Sequence, residues 1–187
     1  MTPARTFVAL VHGPVWNRNH ERIASAVTHL DLHDIARTAR TYGLGGYLLC
    51  HPVAAQRELV ARILAHWNET ENLSAHRRRE ALRLVRLAPD LEAARATVAE
   101  ACGEPPFVLA TSAASRPGAV GFREVAGHVG ARPLLLAFGT GWGMCDEVFD
   151  RVDATLESID VGSGYNHLPV RVAVAIVLDR LLGGFER

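Results

Sequence analysis

Short apolar runs alternate with longer amphipathic segments along most of the chain, a pattern that predicts strands separated by helices. Runs that are apolar throughout are typical of strands buried on both faces, as in the parallel sheets of α/β proteins. Six strands are predicted, over residues 6–11, 46–50, 82–87, 106–110, 134–138 and 155–161. We therefore expect an α/β fold with a six-stranded, mainly parallel sheet flanked by helices.

The segments between these runs have the spacing and end signals of helices. Apolar residues recur at helical spacing over 31–42, and Gly43 lies just past the end, where glycine often ends a helix. Asp90 has the residue type of an N-cap for a helix that Gly103 ends. Further helices are predicted after Pro52, over 122–129 and over 168–182. The last of these is apolar on nearly every side, which predicts that it is buried.

A polar segment after the first predicted strand carries one large aromatic residue. Residues 15–20 are predicted as a loop in which Trp16 stands beside Asn17 and Arg18. An exposed Trp of this kind offers a base a stacking surface, with hydrogen bonds from its neighbours. Alternatively, the Trp folds back onto the core, and the sequence leaves both possibilities open.

The most polar stretch of the chain covers residues 68–79 and is predicted as a loop. It ends in three consecutive arginines, Arg77, Arg78 and Arg79. These side chains either meet nucleic-acid phosphates or form the solvated first turns of a helix, balanced by Glu80.

Composition narrows the possible classes of protein but does not select one of them. The chain has 187 residues, enough for one domain with a sizeable core and few for two, so a single domain over 1–187 is expected. The formal net charge is zero, which provides no global attraction to nucleic acid but leaves room for a local basic patch. All 20 basic residues are arginine, a bias that by itself does not indicate phosphate binding.

Cysteine usage and the N-terminal residues point to a reducing compartment. Cys50, Cys102 and Cys145 are far apart and form no CxxC pair, so we expect reduced thiols. The first residues run straight into a strand without the apolar core of a signal peptide, and no uncharged apolar run reaches the length of a membrane span. A soluble, cytoplasmic protein is expected.

Two glycine-rich turns follow predicted strands near the end of the chain. The first is 139–143 (GTGWG) and the second is 162–167 (GSGYNH). Strands of a parallel sheet that end in such turns before helices indicate a ligand site at the carboxyl edge of the sheet. The spacing is not the G-x-G-x-x-G of a dinucleotide fold, and a chain without lysine has no P-loop. No G-x-S-x-G elbow and no H-E-x-x-H metal spacing occurs either.

Three motifs in order resemble the SPOUT class of RNA methyltransferases. Residues 31–43 (DLHDIARTARTYG) resemble its first motif, and 139–143 after an apolar strand resemble the second. Residues 167–176 (HLPVRVAVAI) resemble the third, and together the motifs cover nearly the whole chain. Asn17-Arg18, the helix around Arg37 and the glycine turn are most similar to a small bacterial branch. Members of that branch occur alone and also fused behind a tRNA guanine-N1-methyltransferase.

The resemblance implies a fold, a cofactor and partners. It implies a C-terminal trefoil knot, a homodimer formed through the C-terminal helix region, S-adenosylmethionine bound in the knot, and tRNA or rRNA as substrate. By motif position, the cofactor-binding residues would be Thr111, Phe138, Gly139, Gly141, Ile159, Val161, Asn166 and Leu168. Glycines at these turns would let backbone approach the ligand without a Cβ in the way.

The resemblance also implies residues that act on the acceptor. Arg37 matches the arginine of the first motif, which often reaches across the dimer; the alternative is a surface arginine on an amphipathic helix. A guanidinium holds a phosphate bidentately or favours deprotonation of a nearby nucleophile. Candidate general bases are Asp34 and His12, with His33 and Asp146 as further choices. Asn17, Arg18 and the arginines at 77–79 would contact RNA.

The motifs depart from the common pattern at four positions. Gly141-Trp142 stands where many ribose 2′-O-methyltransferases of the class carry Glu, Pro169 replaces Asn and Arg171 replaces Ser. Cofactor binding through backbone tolerates these changes, whereas the acceptor chemistry is not inherited with them. The two hypotheses are therefore an RNA methyltransferase with an unassigned acceptor atom and a non-catalytic module that binds cofactor or RNA.

Overall fold

The computed structural model describes residues 1–69 and 76–183. The strands are β1 (Thr6–Val11), β2 (Val15–Trp16), β3 (Arg22–Ile23), β4 (Gly46–Cys50), β5 (Val85–Ala88), β6 (Phe107–Ala110), β7 (Leu134–Gly139) and β8 (Ala154–Thr155). The α-helices are α1 (His29–Thr41), α2 (Ala54–Glu69), α3 (His76–Leu82), α4 (Leu91–Cys102), α5 (Val125–Val129), α6 (Asp146–Phe149) and α7 (Val170–Leu182). A short 3-10 helix, Pro3–Arg5, precedes β1.

Six strands form one parallel sheet in the order β5-β4-β1-β7-β6-β8. The predicted α/β fold with six strands is therefore confirmed, and every pairing in the sheet is parallel. β1 lies between β4 and β7, so that Val11 pairs with Cys50 on one side and with Gly139 on the other. The carboxyl ends of these three strands consequently lie together at one edge of the sheet.

Alternating side chains of the strands build a core on each face of the sheet. In β1, Val8 and Leu10 join one buried cluster, while Phe7 and Ala9 join the other. The first cluster is covered by α1 and α7 among other elements, and the second by α4 and α6. Burial of each large aliphatic side chain stabilises the fold by roughly 1.5–3 kcal/mol.

Two helices begin and end with the signals expected of them. Thr28 caps α1 by accepting a hydrogen bond from the Asp31 amide at 3.1 Å. The predicted N-cap Asp90 accepts from the Ala93 amide at 2.8 Å, and Gly103 ends α4 in the left-handed conformation, with φ of 75°. α1 begins two residues before its predicted start and thereby includes His29.

The predicted third strand is displaced toward the C-terminus. The prediction includes residues 82–84, but α3 extends to Leu82. Its helical turns continue through Arg83 and Leu84, because their amides donate to the Arg79 and Ala81 carbonyls. The strand therefore starts at Val85. The loop prediction for 68–79 is wrong at both ends. Residues 68–69 belong to α2 and residues 76–79 belong to α3, while residues 70–75 lie outside the described part.

The predicted sixth strand is much shorter than the run 155–161. β8 covers only two residues, after which the Leu156 amide still bonds to Ala110. Glu157 then turns to a different partner: its amide donates to the Val120 carbonyl at 2.9 Å and its carboxylate accepts from the Phe122 amide at 2.6 Å. These bonds carry the chain away from the sheet edge.

The segment after β1 is a hairpin, which the prediction of a plain loop missed. β2 and β3 pair antiparallel, with Trp16 opposite Arg22. Among the described residues, no helix combines the length and the apolar character needed to cross a membrane.

Candidate active site

The glycine turn after β7 is held in place by backbone contacts with the β2–β3 hairpin. The Trp142 amide donates to the Trp16 carbonyl and the Trp16 amide donates to the Gly143 carbonyl, both at 2.9 Å. Gly141 has φ of 60°, and a Cβ built there would lie 2.9 Å from the Trp16 carbonyl oxygen. Glycine is thus required at 141 by the close approach of the chain's own backbone.

A cavity of about 980 Å³ opens at the carboxyl edge of the sheet. It is lined by the glycine turn, the hairpin, the start of α1, the loop after β6, and the segment that leads into α7. Phe138, Leu156, Ile159, Leu168 and Val177 form an apolar part of its wall. A cavity of this size and mixed lining is in the range that holds a nucleoside-sized ligand.

Seven of the eight predicted cofactor-binding residues meet at this cavity. They are Thr111, Phe138, Gly139, Gly141, Ile159, Asn166 and Leu168. Asn166 is held in place because its side-chain amide donates to the Ala113 carbonyl at 2.7 Å. Val161 is the exception: it does not line the cavity and is 83% exposed.

A chain of four charged side chains links the cavity to the outer face of α1. Arg171, which lines the cavity, lies 3.7 Å from the Asp31 carboxylate and 3.5 Å from that of Asp34. Asp34 in turn lies 3.9 Å from Arg37. Asp31 also lines the cavity and accepts a hydrogen bond from the Thr28 hydroxyl at 2.7 Å. The buried carboxylate of Asp31 and the Arg171 guanidinium thus face each other at the cavity, while Arg37 is outside it.

Arg37 does not line the cavity. Its side chain is 65% exposed and its recorded ion pair is the long one to Asp34. Asp34 is less exposed and is shared between Arg37 and Arg171. Asp34 and Arg37, two of the predicted catalytic residues, are thus neighbours on α1. Neither lines the cavity, and Arg171 connects Asp34 to it.

His12 belongs to a buried polar cluster beneath the cavity. Its Nδ1 lies 3.1 Å from the Ser25 hydroxyl, which also bonds to the Thr140 hydroxyl. The His12 ring stacks on His51 with centroids 5.3 Å apart. His51 accepts from the Val53 amide through Nδ1, so that its Nε2–H donates to the Ser25 carbonyl at 2.9 Å.

Burial decides the protonation state of His12. Desolvation, reinforced by the neighbouring His51, lowers the pKa of His12 to about 4. The ring is fully buried, does not line the cavity, and its Nε2 has no hydrogen-bond partner among the described residues. His12 is therefore neutral at pH 7 and reaches the cavity only through the Ser25 hydroxyl, which lines it.

Of the two further candidate bases, Asp146 lines the cavity and His33 does not. Desolvation and the nearby Arg78 lower the pKa of His33, whose ring packs edge-on against Trp67 away from the cavity. Asp146 does line the cavity and accepts from Arg116 at 2.7 Å. In the part of the chain that the structure describes, no group of three or more His, Cys, Asp or Glu side chains is arranged to hold a metal ion.

The predicted RNA-contacting pair in the hairpin divides into a structural and an exposed residue. Asn17 accepts from the Asn19 and Glu21 amides at 2.9 Å and donates to the Glu21 carboxylate, so it holds the turn between β2 and β3. Arg18 is exposed at the tip of that turn.

The three consecutive arginines lie on α3 rather than in a loop. Arg77 and Arg78 are exposed, and the Arg78 guanidinium lies over the Trp67 ring, 4.8 Å from its centroid. Arg79 is half-buried. None of the three lines the cavity.

Several cavity residues were not assigned from the sequence. Asp31 was part of a recognised motif, and Arg171 was noted only as a departure from one; neither was given a role, because their pairing joins distant segments. Trp142 and His167 line the cavity mouth, with ring centroids 5.8 Å apart, and Tyr165 lies beside His167. Exposed aromatic residues in a glycine-rich turn are the signal that could have found them.

The fold and cavity define an α/β protein with a ligand site at the carboxyl edge of its sheet. Residues 5–183 match the model of a family described as SAM-dependent RNA methyltransferase. The chain belongs to this family of S-adenosylmethionine-dependent RNA methyltransferases, as the motif resemblance predicted.

Curated relatives include two much longer proteins. The chain is 43% identical over 178 residues to a protein of Oleidesulfovibrio alaskensis named tRNA (guanine-N(1)-)-methyltransferase, covering 95% of this chain and 42% of that protein. A protein of the same name from Nitratidesulfovibrio vulgaris is 41% identical with the same coverage. The chain thus spans about two-fifths of these relatives. An uncharacterized protein of Aquifex aeolicus is 35% identical, with 97% of this chain and 90% of that protein covered.

Solved structures support the fold assignment. The TrmH/SpoU tRNA modifying enzyme of A. aeolicus matches with a TM-score of 0.59 and 16% identity, covering 97% of this chain and 76% of that one. An AdoMet-bound rRNA methyltransferase from Sinorhizobium meliloti matches with a TM-score of 0.58 and 18% identity, covering 100% and 62% respectively. At these identities the likeness shows a shared fold, that of the SPOUT methyltransferases.

Proposed function

We propose that this chain methylates a nucleotide of tRNA or rRNA, with S-adenosylmethionine as donor, as a homodimer in the cytoplasm. The observation that carries the proposal is the cavity at the glycine turn, in which seven residues that the family resemblance implies come together. The free thiols Cys50, Cys102 and Cys145 suit a reducing compartment.

The residues of the cavity fit the methyl donor. Ile159 and Leu168 offer an apolar surface to an adenine, and Thr111 and Asn166 offer polar groups beside it. The donor's methionine part carries an ammonium and a carboxylate, which match the paired charges of Asp31 and Arg171. When bound, this cofactor supplies a methyl group on a positively charged sulfur, which leaves as a neutral thioether once the methyl has moved.

The protein's own part in transfer is positioning and removal of the acceptor's proton. Holding the acceptor in line with the methyl group supplies much of the rate enhancement. Proton removal requires a general base near the acceptor. Among the predicted bases, Asp146 lines the cavity, whereas Asp34, next to Arg37 and Arg171, would reach the acceptor together with Arg37 across the dimer. His12, buried and neutral, has a structural role in this account.

A homodimer would bring Arg37 to the cavity of the partner. Support comes from α7, where Val174, Val177 and Leu178 are buried within the chain, whereas Val172 is 39% exposed. Leu30, at the start of α1, is 59% exposed. Apolar surface on these two helices, which pack against each other, is what a second copy would cover. A trefoil knot formed by the segment that leads into α7 is part of the same proposal.

A tRNA substrate has some support from relatives. Two of them are named tRNA (guanine-N(1)-)-methyltransferase, and the chain matches only 42% of their length. Their name therefore describes proteins that contain much more than the part matched here. We accordingly propose tRNA as the first substrate to test and assign no methylated atom.

A non-catalytic role is the second candidate function. It is favoured by Gly141-Trp142 in place of the Glu of the second motif, and by Arg171, whose guanidinium already faces two carboxylates. Such a module would bind the cofactor or RNA and assist another RNA-modifying protein.

Transfer of label from radioactive methyl donor to total tRNA separates the two functions. We expect incorporation by the native chain and a reduction of about 100-fold in Arg37→Ala, the scale seen when one charge-stabilising group is removed from an active site. Arg62→Ala, an exposed arginine on α2, is the matched control and should retain activity. Cofactor binding without incorporation would support the non-catalytic role, and equal incorporation by Arg37→Ala would remove Arg37 from the site.

A further inference from the structure

The mouth of the cavity carries aromatic side chains that the cofactor site does not need. Trp142 lines the cavity and is 64% exposed, and Tyr165, just outside the lining, is 74% exposed. His167 lies between them, with its ring centroid 5.8 Å from that of Trp142 and 6.5 Å from that of Tyr165. Exposed aromatic rings grouped in this way are unusual on a soluble surface, where large apolar side chains are usually buried.

The backbone holds Trp142 rigidly although its ring is exposed. Its amide donates to the Trp16 carbonyl, and the next residue, Gly143, accepts from the Trp16 amide, both at 2.9 Å. A Cβ at Gly141 would meet that same carbonyl oxygen, so the turn there requires glycine. The ring therefore projects from a fixed turn, so that little backbone conformational entropy would be lost when a ligand stacks on it.

The two tryptophans at the mouth differ in whether a face of the ring is already stacked on a neighbouring side chain. The Trp16 ring stacks on His20 at 4.1 Å with an interplanar angle of 16°, so one of its faces is occupied. The Trp142 ring is tilted by 45° from His167 at 5.8 Å and makes no parallel stack with it. A planar ligand that enters the mouth has an aromatic face to stack on at Trp142 and the edge of His167 beside it.

We propose that Trp142, with His167 and Tyr165, forms a stacking site for the unpaired nucleobase of the RNA acceptor strand, so that the substrate is single-stranded or flipped-out RNA. The proposal rests on the proposed function, because it places the acceptor at the mouth of the cavity assigned to the methyl donor. Every base has a π face, and stacking on an aromatic side chain provides affinity without a high net charge. A chain of formal charge zero provides no global attraction for RNA, so such a contact adds affinity that net charge does not supply.

Paired RNA would not reach this site. The bases of an A-form duplex are stacked on one another, and proteins recognise such helices by shape and backbone contacts. A base that stacks on Trp142 must first leave its helix or belong to a loop, as in enzymes that act on extruded bases. The preference for unpaired RNA is therefore a direct consequence of the aromatic contact.

The test is a titration of the protein with short single-stranded oligoadenylate and oligouridylate and with the duplex that the two form, followed by tryptophan fluorescence quenching and by anisotropy of labelled RNA. We expect Trp142→Ala to weaken single-strand binding by about 5- to 150-fold, the range for loss of one stacked base. Trp142→Phe should lose less than Trp142→Leu, because Phe keeps an aromatic face whereas Leu keeps only apolar area. Leu59→Ala, which trims an exposed side chain of α2, should bind like the native chain.

Parallel calorimetry with S-adenosylhomocysteine keeps this inference separate from the proposed function. We expect cofactor-product affinity to stay within about twofold in Trp142→Ala, since the ring lies at the mouth. Unchanged RNA binding in Trp142→Ala, equal binding of Phe and Leu variants, or preference for the duplex would each overturn the stacking site and leave the proposed function standing. Loss of S-adenosylhomocysteine binding in Trp142→Ala would assign the ring to the cofactor instead. Failure of the native chain to bind S-adenosylhomocysteine would count against the proposed function itself.

Discussion

The buried His12 predicts a specific loss of stability on acidification. Its pKa is about 4 in the folded chain and 6.5 when exposed, so below pH 6.5 the unfolded chain binds a proton that the folded chain does not. Stability contributed by the neutral ring is therefore complete above pH 6.5 and declines as pH falls toward 4. Over the full shift the loss is about 3 kcal/mol, and between pH 8 and pH 4.5 it is about 2.5 kcal/mol.

The perturbation that isolates this effect is His12→Gln. Urea unfolding of native and variant chains at pH 8 and at pH 4.5 gives four free energies of unfolding, and their double difference removes the other titrating groups. His51, whose pKa burial also lowers, contributes with the same sign and largely cancels because both chains contain it. We expect the native chain to lose about 2.5 kcal/mol more than the variant over this interval. An equal loss in both chains would contradict a buried, neutral His12.

The same experiment bears on catalysis. A structural His12 predicts that His12→Gln retains measurable methyl transfer at pH 8, provided that the folded fraction is the same. Loss of transfer from a variant that is fully folded by circular dichroism and thermal melting would return His12 to the list of catalytic candidates.

Two further predictions concern backbone geometry and thiol chemistry. Gly103→Ala should destabilise the chain by about 1–2 kcal/mol, because a Cβ is unfavourable at positive φ. Gly141→Ala should destabilise it by clearly more, since its Cβ would also meet the Trp16 carbonyl. Thermal melting of both variants checks this, and equal losses of stability would contradict the contact at Gly141. Burial raises the pKa of Cys50 to about 12, so iodoacetamide at pH 8 should modify the half-buried Cys102 while sparing Cys50, and mass spectrometry that finds Cys50 alkylated in the folded chain would refute this.

Much of the sheet could be predicted because its signals are local. Apolar runs bounded by glycine, proline or a histidine marked β1, β4, β6 and β7 to within a residue or two. The two strands that were misplaced were decided by partners elsewhere in the chain. β8 ends early because Glu157 bonds to the loop at Val120 and Phe122, and the start of β5 was taken over by the end of α3.

The candidate site divides in the same way. Gly139 and Gly141 of the second motif meet Thr111 at the cavity because these residues end or follow β7 and β6, which are adjacent parallel strands. The Asp31–Arg171 pair escaped prediction because it joins the start of α1 to the start of α7. Burial of His12 likewise depends on Ser25 and His51, which its own sequence neighbourhood does not reveal.

Mixed dimers address the assignment of Arg37 across the interface. Arg37→Ala and Ile159→Trp, a variant that fills the cavity, should each have little activity alone, and their mixture should regain activity when one dimer combines an intact cavity with an intact Arg37. Absence of any recovery in a mixture shown to exchange subunits would place Arg37 at the cavity of its own chain or outside the site.

The central claim is that the cavity at the glycine turn binds the methyl donor, and isothermal titration calorimetry with S-adenosylhomocysteine tests it most directly. We predict saturable binding by the native chain and its loss in Ile159→Trp, whose larger side chain fills the cavity, with the fold of the variant verified by circular dichroism. No heat of binding at near-millimolar ligand, or equal binding by the filled-cavity variant, would contradict the account.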